Sequence, residues 1–206
     1  PGAPTLQAGR HVWTVPGDVL AGLHAQARGG GTTLYVVLLS ALALALHRTT
    51  GQGRVVIGTP MANRAHPVVA DVIGNFVNIG VMPVTVTAAD TVTSLLPQLH
   101  RLMISALSFQ DLPFERLVEA LAPDRRRAAH PVLQVTLALQ NTPDAWETER
   151  LNEPTGAAKF DLSFNAVEAP GGLRVDCVYA AELFEPATVS RLCDEFTRRL
   201  IAGSAA

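Results

Sequence analysis

The run from Leu34 to Leu46 limits what this chain can fold into more than any other stretch, because it is apolar or aromatic at every position except Ser40. A helix drawn through it is hydrophobic almost all round, so it cannot lie on a surface with one wet face. It is also too short to cross a bilayer, which takes about 20 apolar residues. What remains is a central helix, covered by a sheet on one side and by neighbouring helices on the others. Thr32 or Thr33 can cap its start, it runs to Arg48, and Gly51 and Gly53 end it. Such a helix needs a large core around it, and 206 residues that are 48% hydrophobic and 17% charged supply one. The formal charge of -2 gives no field that would gather nucleic acid or an anionic membrane, so neither is expected as a partner.

Around this helix the sequence alternates strand and helix patterns. Arg10 to Val15 alternates as a strand, and Pro16-Gly17 ends it. A helix from Asp18 to Arg28 puts Val19, Leu20, Leu23 and Ala27 inward and stops at Gly29-Gly30-Gly31. That glycine triplet has no GK[ST] after it and no strand before it, so it reads as a turn rather than a phosphate cradle. Val55 to Thr59 and Val77 to Val86 read as strands, the second confined to an edge or a bulge by Pro83. Val92 to Leu107 is a helix with Val92, Leu95, Leu96, Leu99, Met103 and Ala106 on one stripe, and a kink is expected at Pro97. Val132 to Gln140 is a strand, Asn141 to Ala158 a long polar loop, and Phe160 to Glu168 with Leu173 to Tyr179 a hairpin across Pro170-Gly171-Gly172. Pro186 opens a last helix with Val189, Leu192, Cys193, Phe196 and Leu200 inward. The class is α/β: one layered lobe, a mixed five- to six-stranded sheet with about five helices.

Pro1-Gly2-Ala3-Pro4 has neither the basic nor the apolar segment of a secretory leader; residues 1–9 read as a linker and the expected setting is cytoplasmic. Cys177 and Cys193 then read as buried thiols rather than a disulfide, and Trp13 as a core aromatic.

No zinc-ligand spacing, nucleophile elbow or Walker loop is present, so no catalytic or metal-binding residue is assigned. Two stretches are chemically odd instead. Ile73-Gly74-Asn75-Phe76-Val77-Asn78 interrupts an apolar strand entry with a glycine and two amides, which need partners if buried. Gln110-Asp111-Leu112-Pro113-Phe114-Glu115 reads as a helix start, with Asp111 as the cap accepting from the N–H of Phe114 and Glu115 in the first turn.

Ile73 to Asn78 resembles the IGxFVNT element of condensation domains from nonribosomal peptide synthetases, members of the chloramphenicol-acetyltransferase-like superfamily. Phe109 to Glu115 resembles their HQDxPFE element, and Val56 to Arg64 their VGTPxAGR stretch. Leu139-Gln140-Asn141 and Lys159-Phe160-Asp161-Leu162 extend the likeness over nearly the whole chain. The resemblance implies a two-lobed fold roughly twice this long, whose HHxxxDG signature lies in the N-terminal lobe. None of the six histidines here adjoins another. Residues 1–206 therefore look like the C-terminal lobe alone, inactive by itself in amide-bond formation.

By that likeness no cofactor is bound directly; substrates arrive on the phosphopantetheine of peptidyl carrier proteins. Gly74, Asn75, Phe76, Asn78, Gln110 and Asp111 would line the substrate tunnel, with Asp111 more a helix cap than a chemical participant. Arg64 would hold the phosphate of the phosphopantetheine arm, against the alternative of an ordinary solvated arginine. The implied partners are the N-terminal lobe of the same domain, the carrier proteins and neighbouring synthetase domains, and an isolated lobe is expected to self-associate weakly. His66 and His130 read as turn residues, and Trp146 as suited to a contact with the other lobe. Departures from the family are Phe109, Ile79 and the altered Arg125 to Val132 segment. These keep open a non-catalytic docking module that binds a carrier or tailoring protein. A relative that uses a coenzyme A thioester is the third alternative.

Overall fold

The computed structural model describes residues 7–64, 67–69, 72–121, 132–140 and 156–205. Arg125 to Pro131, His66, Trp146 and most of the long loop from Asn141 lie outside the described residues. The elements in chain order are β1 (Ala8–Pro16), α1 (Gly17–Gly29), α2 (Leu34–Thr50), β2 (Arg54–Met61), a short 3-10 turn (Pro67–Val69), β3 (Asn78–Thr85), α3 (Val92–Ser108), α4 (Phe114–Leu121), β4 (Val135–Gln140), β5 (Leu162–Ala169), β6 (Gly172–Ala180) and α5 (Pro186–Ser204). The strands form one sheet in the order β1-β6-β5-β4-β2-β3. Its middle, β5-β4-β2, is parallel, while β1, β6 and β3 are antiparallel to their neighbours.

Helix α2 has the place its composition demands. Leu34 and every residue from Val36 to Leu46 are buried, and only Tyr35 is partly open. It packs against α1, α3 and α5 and against strand β2. Ser40, buried with the rest, returns its hydroxyl to the carbonyl of Val36 at 2.9 Å, so it leaves no orphaned polar atom. The Thr33 hydroxyl accepts from the N–H of Val36, and Gly51 closes the helix at φ 72°, a left-handed conformation that a side chain disfavours. Among the described residues, no single helix is long and apolar enough to cross a membrane.

Alternation along β5 and β6 assigns one face of the sheet to the helices. Leu162, Phe164 and Ala166 on β5, with Leu173, Val175 and Cys177 on β6, are buried, whereas Asn165, Arg174 and Asp176 between them are only half-buried. Phe164 meets Phe196 of α5 edge-on at 5.7 Å, and Trp13 of β1 meets the same ring at 6.3 Å. Cys177 and Cys193 are free and buried where α5 crosses the sheet. A hydrogen bond from the Cys177 S–H to Cys193, with burial, pushes the Cys177 thiol well above its usual range.

Several boundaries differ from the sequence reading. The linker expected over residues 1–9 does not include its last positions: Ala8 and Gly9 pair with Ala180 and Tyr179, and Gln7 bridges Ala157. Alanine and glycine have weak strand preference, and it is pairing to β6 that recruits them. Strand β4 starts at Val135 rather than Val132, while α3 is the one helix expected, of 17 residues with Pro97 inside it. Pro83 lies on β3, an edge of the sheet, where a missing N–H is tolerated.

Replacing fully buried Leu42 with alanine should cost about 2–5 kcal/mol in urea unfolding. Ile104→Ala, at an exposed position on α3, should stay within about 0.5 kcal/mol. Equal effects at the two positions would contradict a central α2.

Candidate functional site

Asn78, the first residue of β3, joins the two odd stretches through its side chain. Its Nδ2 donates to the carbonyls of Gln110 at 2.8 Å and Leu112 at 2.6 Å, and its Oδ1 accepts from the N–H of Phe114 at 3.0 Å. The amide that opens α4 is thus capped from across the fold by Asn78. Asp111, the expected cap, is exposed instead. The chemistry explains the exchange. The turn presents two carbonyls and one N–H, and a carboxamide both donates and accepts, whereas a carboxylate only accepts. Glu115 does occupy the first turn of α4.

The segment before β3 is a loop, not the strand entry its apolar residues suggested. Ile73 is fully exposed and Val77 is 59% exposed. Its carbonyls are taken elsewhere: Arg64 donates through Nη1 to the carbonyls of Val69 at 2.7 Å and Val72 at 2.8 Å, and through Nη2 to that of Gly74 at 2.9 Å. The guanidinium also sits 4.5 Å from the centre of the Phe76 ring, a cation–π contact. Asn75 accepts from the N–H of Val77 at 3.1 Å, a local side-chain turn.

Beside this loop a cleft of about 690 Å³ opens at the carboxyl ends of the parallel strands β2, β4 and β5 and the N-terminus of α2. In open α/β sheets that edge is where ligands bind. Arg64 and Gln110 line it; Gly74, Asn75, Phe76, Asn78 and Asp111 do not, and they shape its surroundings instead. Its other walls come from residues that the sequence did not assign to a site, including Tyr35, Thr59, Met61, Met103, Leu107 and Leu139. One signal pointed there. Tyr35 is the only residue of the Leu34–Leu46 run besides Ser40 with a polar atom in its side chain, and a buried phenol needs a partner.

Tyr35 has two such partners, Thr59 Oγ1 at 2.9 Å and the Leu137 carbonyl at 2.7 Å. A carbonyl can only accept, so the single phenolic proton goes to Leu137 and the Thr59 hydroxyl donates to the Tyr35 oxygen. Burial pushes the Tyr35 phenol far above its usual range, against a smaller lowering by Thr59, so it stays protonated. Among the described residues no group of three or more His, Cys, Asp or Glu side chains could hold a metal ion.

A family described as the condensation domain matches residues 1–204. This chain belongs to the condensation-domain family. Among curated relatives it is 37% identical over 197 residues to the probable non-canonical nonribosomal peptide synthetase CymA of Salinispora arenicola, covering 89% of this chain and 2% of that protein. It is 36% identical over 195 residues to the phosphinothricin tripeptide synthetase PhsB of Streptomyces viridochromogenes, covering 90% of this chain and 16% of that protein. The chain therefore spans only a small part of these relatives. Among solved structures it superposes on the X-domain from teicoplanin biosynthesis with a TM-score of 0.86 at 25% identity, covering 100% of this chain and 49% of that one. It superposes on a four-domain nonribosomal peptide synthetase bound to AMP and glycine with a TM-score of 0.87 at 22% identity, covering 98% of this chain and 17% of that one.

In this condensation-domain chain, Asn78→Ala should cost about 1–3 kcal/mol in urea unfolding and speed hydrogen exchange at the Phe114 amide. Asn78→Asp should be worse at pH 7 than at pH 4. The new carboxylate would face two carbonyls, which raises its folded pKa, so stability is lost as pH rises through that value. A pH-independent deficit would argue against the bridge.

Proposed function

We propose that this chain is the C-terminal lobe of a nonribosomal peptide synthetase condensation domain. It forms one wall of the tunnel in which a carrier-bound amine attacks a carrier-bound acyl thioester. In that reaction the amine nitrogen bonds to the thioester carbonyl carbon, the carbon–sulfur bond breaks, and the amine proton leaves as the carrier thiol is regenerated. No residue of this lobe is assigned to the proton transfer. Its part is to align two tethered reactants and to keep water out, and alignment alone can supply about 7–11 kcal/mol of the barrier. The single observation that carries the reading is the Asn78 bridge, which fixes the two family motifs to one another beside the cleft.

The same region supports contact with a second lobe. Val72, Ile73, Val77, Leu107, Phe109 and Leu112 are all large, apolar and exposed, and all belong to these motifs or adjoin them. Apolar surface gathered in this way marks a contact site. In this reading the N-terminal lobe covers it, and peptidyl carrier proteins and neighbouring synthetase domains dock around it, in a cytoplasmic setting. Arg64, on the cleft rim, would draw the phosphate of the phosphopantetheine arm as well as shape the loop through its carbonyl bonds. Gly74, Asn75, Phe76, Gln110 and Asp111 would be wall residues.

A second reading, a non-catalytic docking module, is favoured by the teicoplanin X-domain, one structure of which is a complex with OxyB. The departures at Phe109 and Ile79 also suit it.

The full-length protein, supplied with donor- and acceptor-loaded carriers, should form the amide on the acceptor carrier by intact-protein mass spectrometry. Arg64→Ala should weaken binding of phosphopantetheinylated over unmodified carrier. Carrier binding without any amide would select the docking reading, and neither amide nor binding would remove both. The isolated chain should self-associate weakly; a strictly monomeric light-scattering mass at high concentration would contradict the open apolar face.

A further inference from the structure

The cleft at the carboxyl edge of the sheet differs in chemistry from its rim. Its walls are Leu34, Met61, Met103, Leu107 and Leu139, with Met103 and Leu107 one turn apart on α3 and so on one face. The polar atoms at its floor, Tyr35 Oη and Thr59 Oγ1, are spent on each other and on the Leu137 carbonyl. Among the described residues two charged side chains reach the rim and both are engaged: Arg64 with the Val69, Val72 and Gly74 carbonyls, and Glu168 with His24 at 2.9 Å. Leucine and methionine side chains make up most of the wall, with the Asn63 and Gln110 amides beside Arg64, and the volume of about 690 Å³ suits a small organic group.

Met61 has a second role. It also borders a smaller cavity of about 280 Å³ between β3, α3 and α4, so Met61 is common to the linings of the two spaces. Gly80 makes room for it there: a Cβ at that position would stand 2.9 Å from the Met61 methyl, with the Ala106 methyl at 3.3 Å. An unbranched thioether packed beside a glycine is an adjustable wall, because methionine changes rotamer at low cost.

We infer that this cleft receives the apolar side chain or acyl tail of the pantetheine-tethered substrate, and that Met61 sets how long that group can be. The inference rests on the condensation reading for the identity of the tether. The substrate class is therefore one with a neutral branched or straight hydrocarbon group, and a charged side chain is disfavoured.

The chain carries its own reporters. Of its three methionines, Met61 and Met103 line the cleft and Met82 is fully buried in the core. With methionine methyls labelled with carbon-13, pantetheine amides of leucine, glycine and isohexanoic acid should be titrated by NMR. Leucyl and isohexanoyl probes should shift Met61 and Met103 saturably and leave Met82 in place, and the glycyl probe should shift none. Leucyl and isohexanoyl differ in the α-amine, so a response to one alone says whether an amino acid side chain or an acyl tail is the guest. Met61→Ala, which cuts back the side chain common to both linings, should bind a decanoyl probe at least tenfold more tightly than the parent chain. Leu107→Trp should weaken the isohexanoyl probe about tenfold. Equal shifts with the glycyl probe, or length preference unchanged in both variants, would overturn the inference. Methyl shifts without amide formation in the carrier assay would remove the condensation reading and keep the pocket, and amide formation without methyl shifts would do the reverse.

Discussion

The architecture depends on one constraint, the need to remove every side of α2 from water. Each fully buried leucine or valine there contributes roughly 1.5–3 kcal/mol relative to exposure, and such a helix is stable only inside a complete shell. Strand β2 and helices α1, α3 and α5 provide that shell. The enclosure also fixes direction. Because α2 begins at the carboxyl edge of the parallel strands, its first turn brings Tyr35 to the end of β2, where the phenol meets Thr59 and the Leu137 carbonyl. A packing requirement thus builds the floor of the cleft.

Asn78 adds a second constraint of a different kind. It lies at the outer edge of the sheet, on the strand that among the described residues pairs only with β2, and it ties that edge to the turn between α3 and α4. Without it the turn would have two carbonyls and an opening helix amide to satisfy by itself. Arg64 does similar work on the other side of the loop, gathering three carbonyls and the Phe76 ring. Two side chains therefore hold an exposed, glycine-containing segment in one shape.

Most of the fold was legible in local sequence. The all-round apolar run, the Thr33 cap, Gly51, the Pro170-Gly171-Gly172 turn and Pro186 each encode their element through a period or a backbone preference that neighbouring residues do not override. The family was legible too, because the motif residues at 56–64, 73–78 and 109–115 keep their order and spacing. Less of the site was open to such reading. Asp111 has the right identity and offset for a cap, and only the approach of β3 gives that post to Asn78. Ile73, Phe76 and Val77 have a strand's composition, yet Arg64 takes the carbonyls that a sheet would have used.

What the sequence by itself determined is therefore whatever depends on neighbours along the chain: hydrophobic period, helix ends, turns and the presence of the family's motifs. The tertiary structure decided which of those motifs touch, that Thr59 donates to Tyr35 and Tyr35 to Leu137, and that Met61 borders two cavities. These depend on partners many residues apart, from 24 between Tyr35 and Thr59 to 102 between Tyr35 and Leu137. A hydrogen bond is selected by where two groups arrive, not by how far apart they are written. Local preference can propose a partner for a polar group, but only the packed fold sets the distances that choose it.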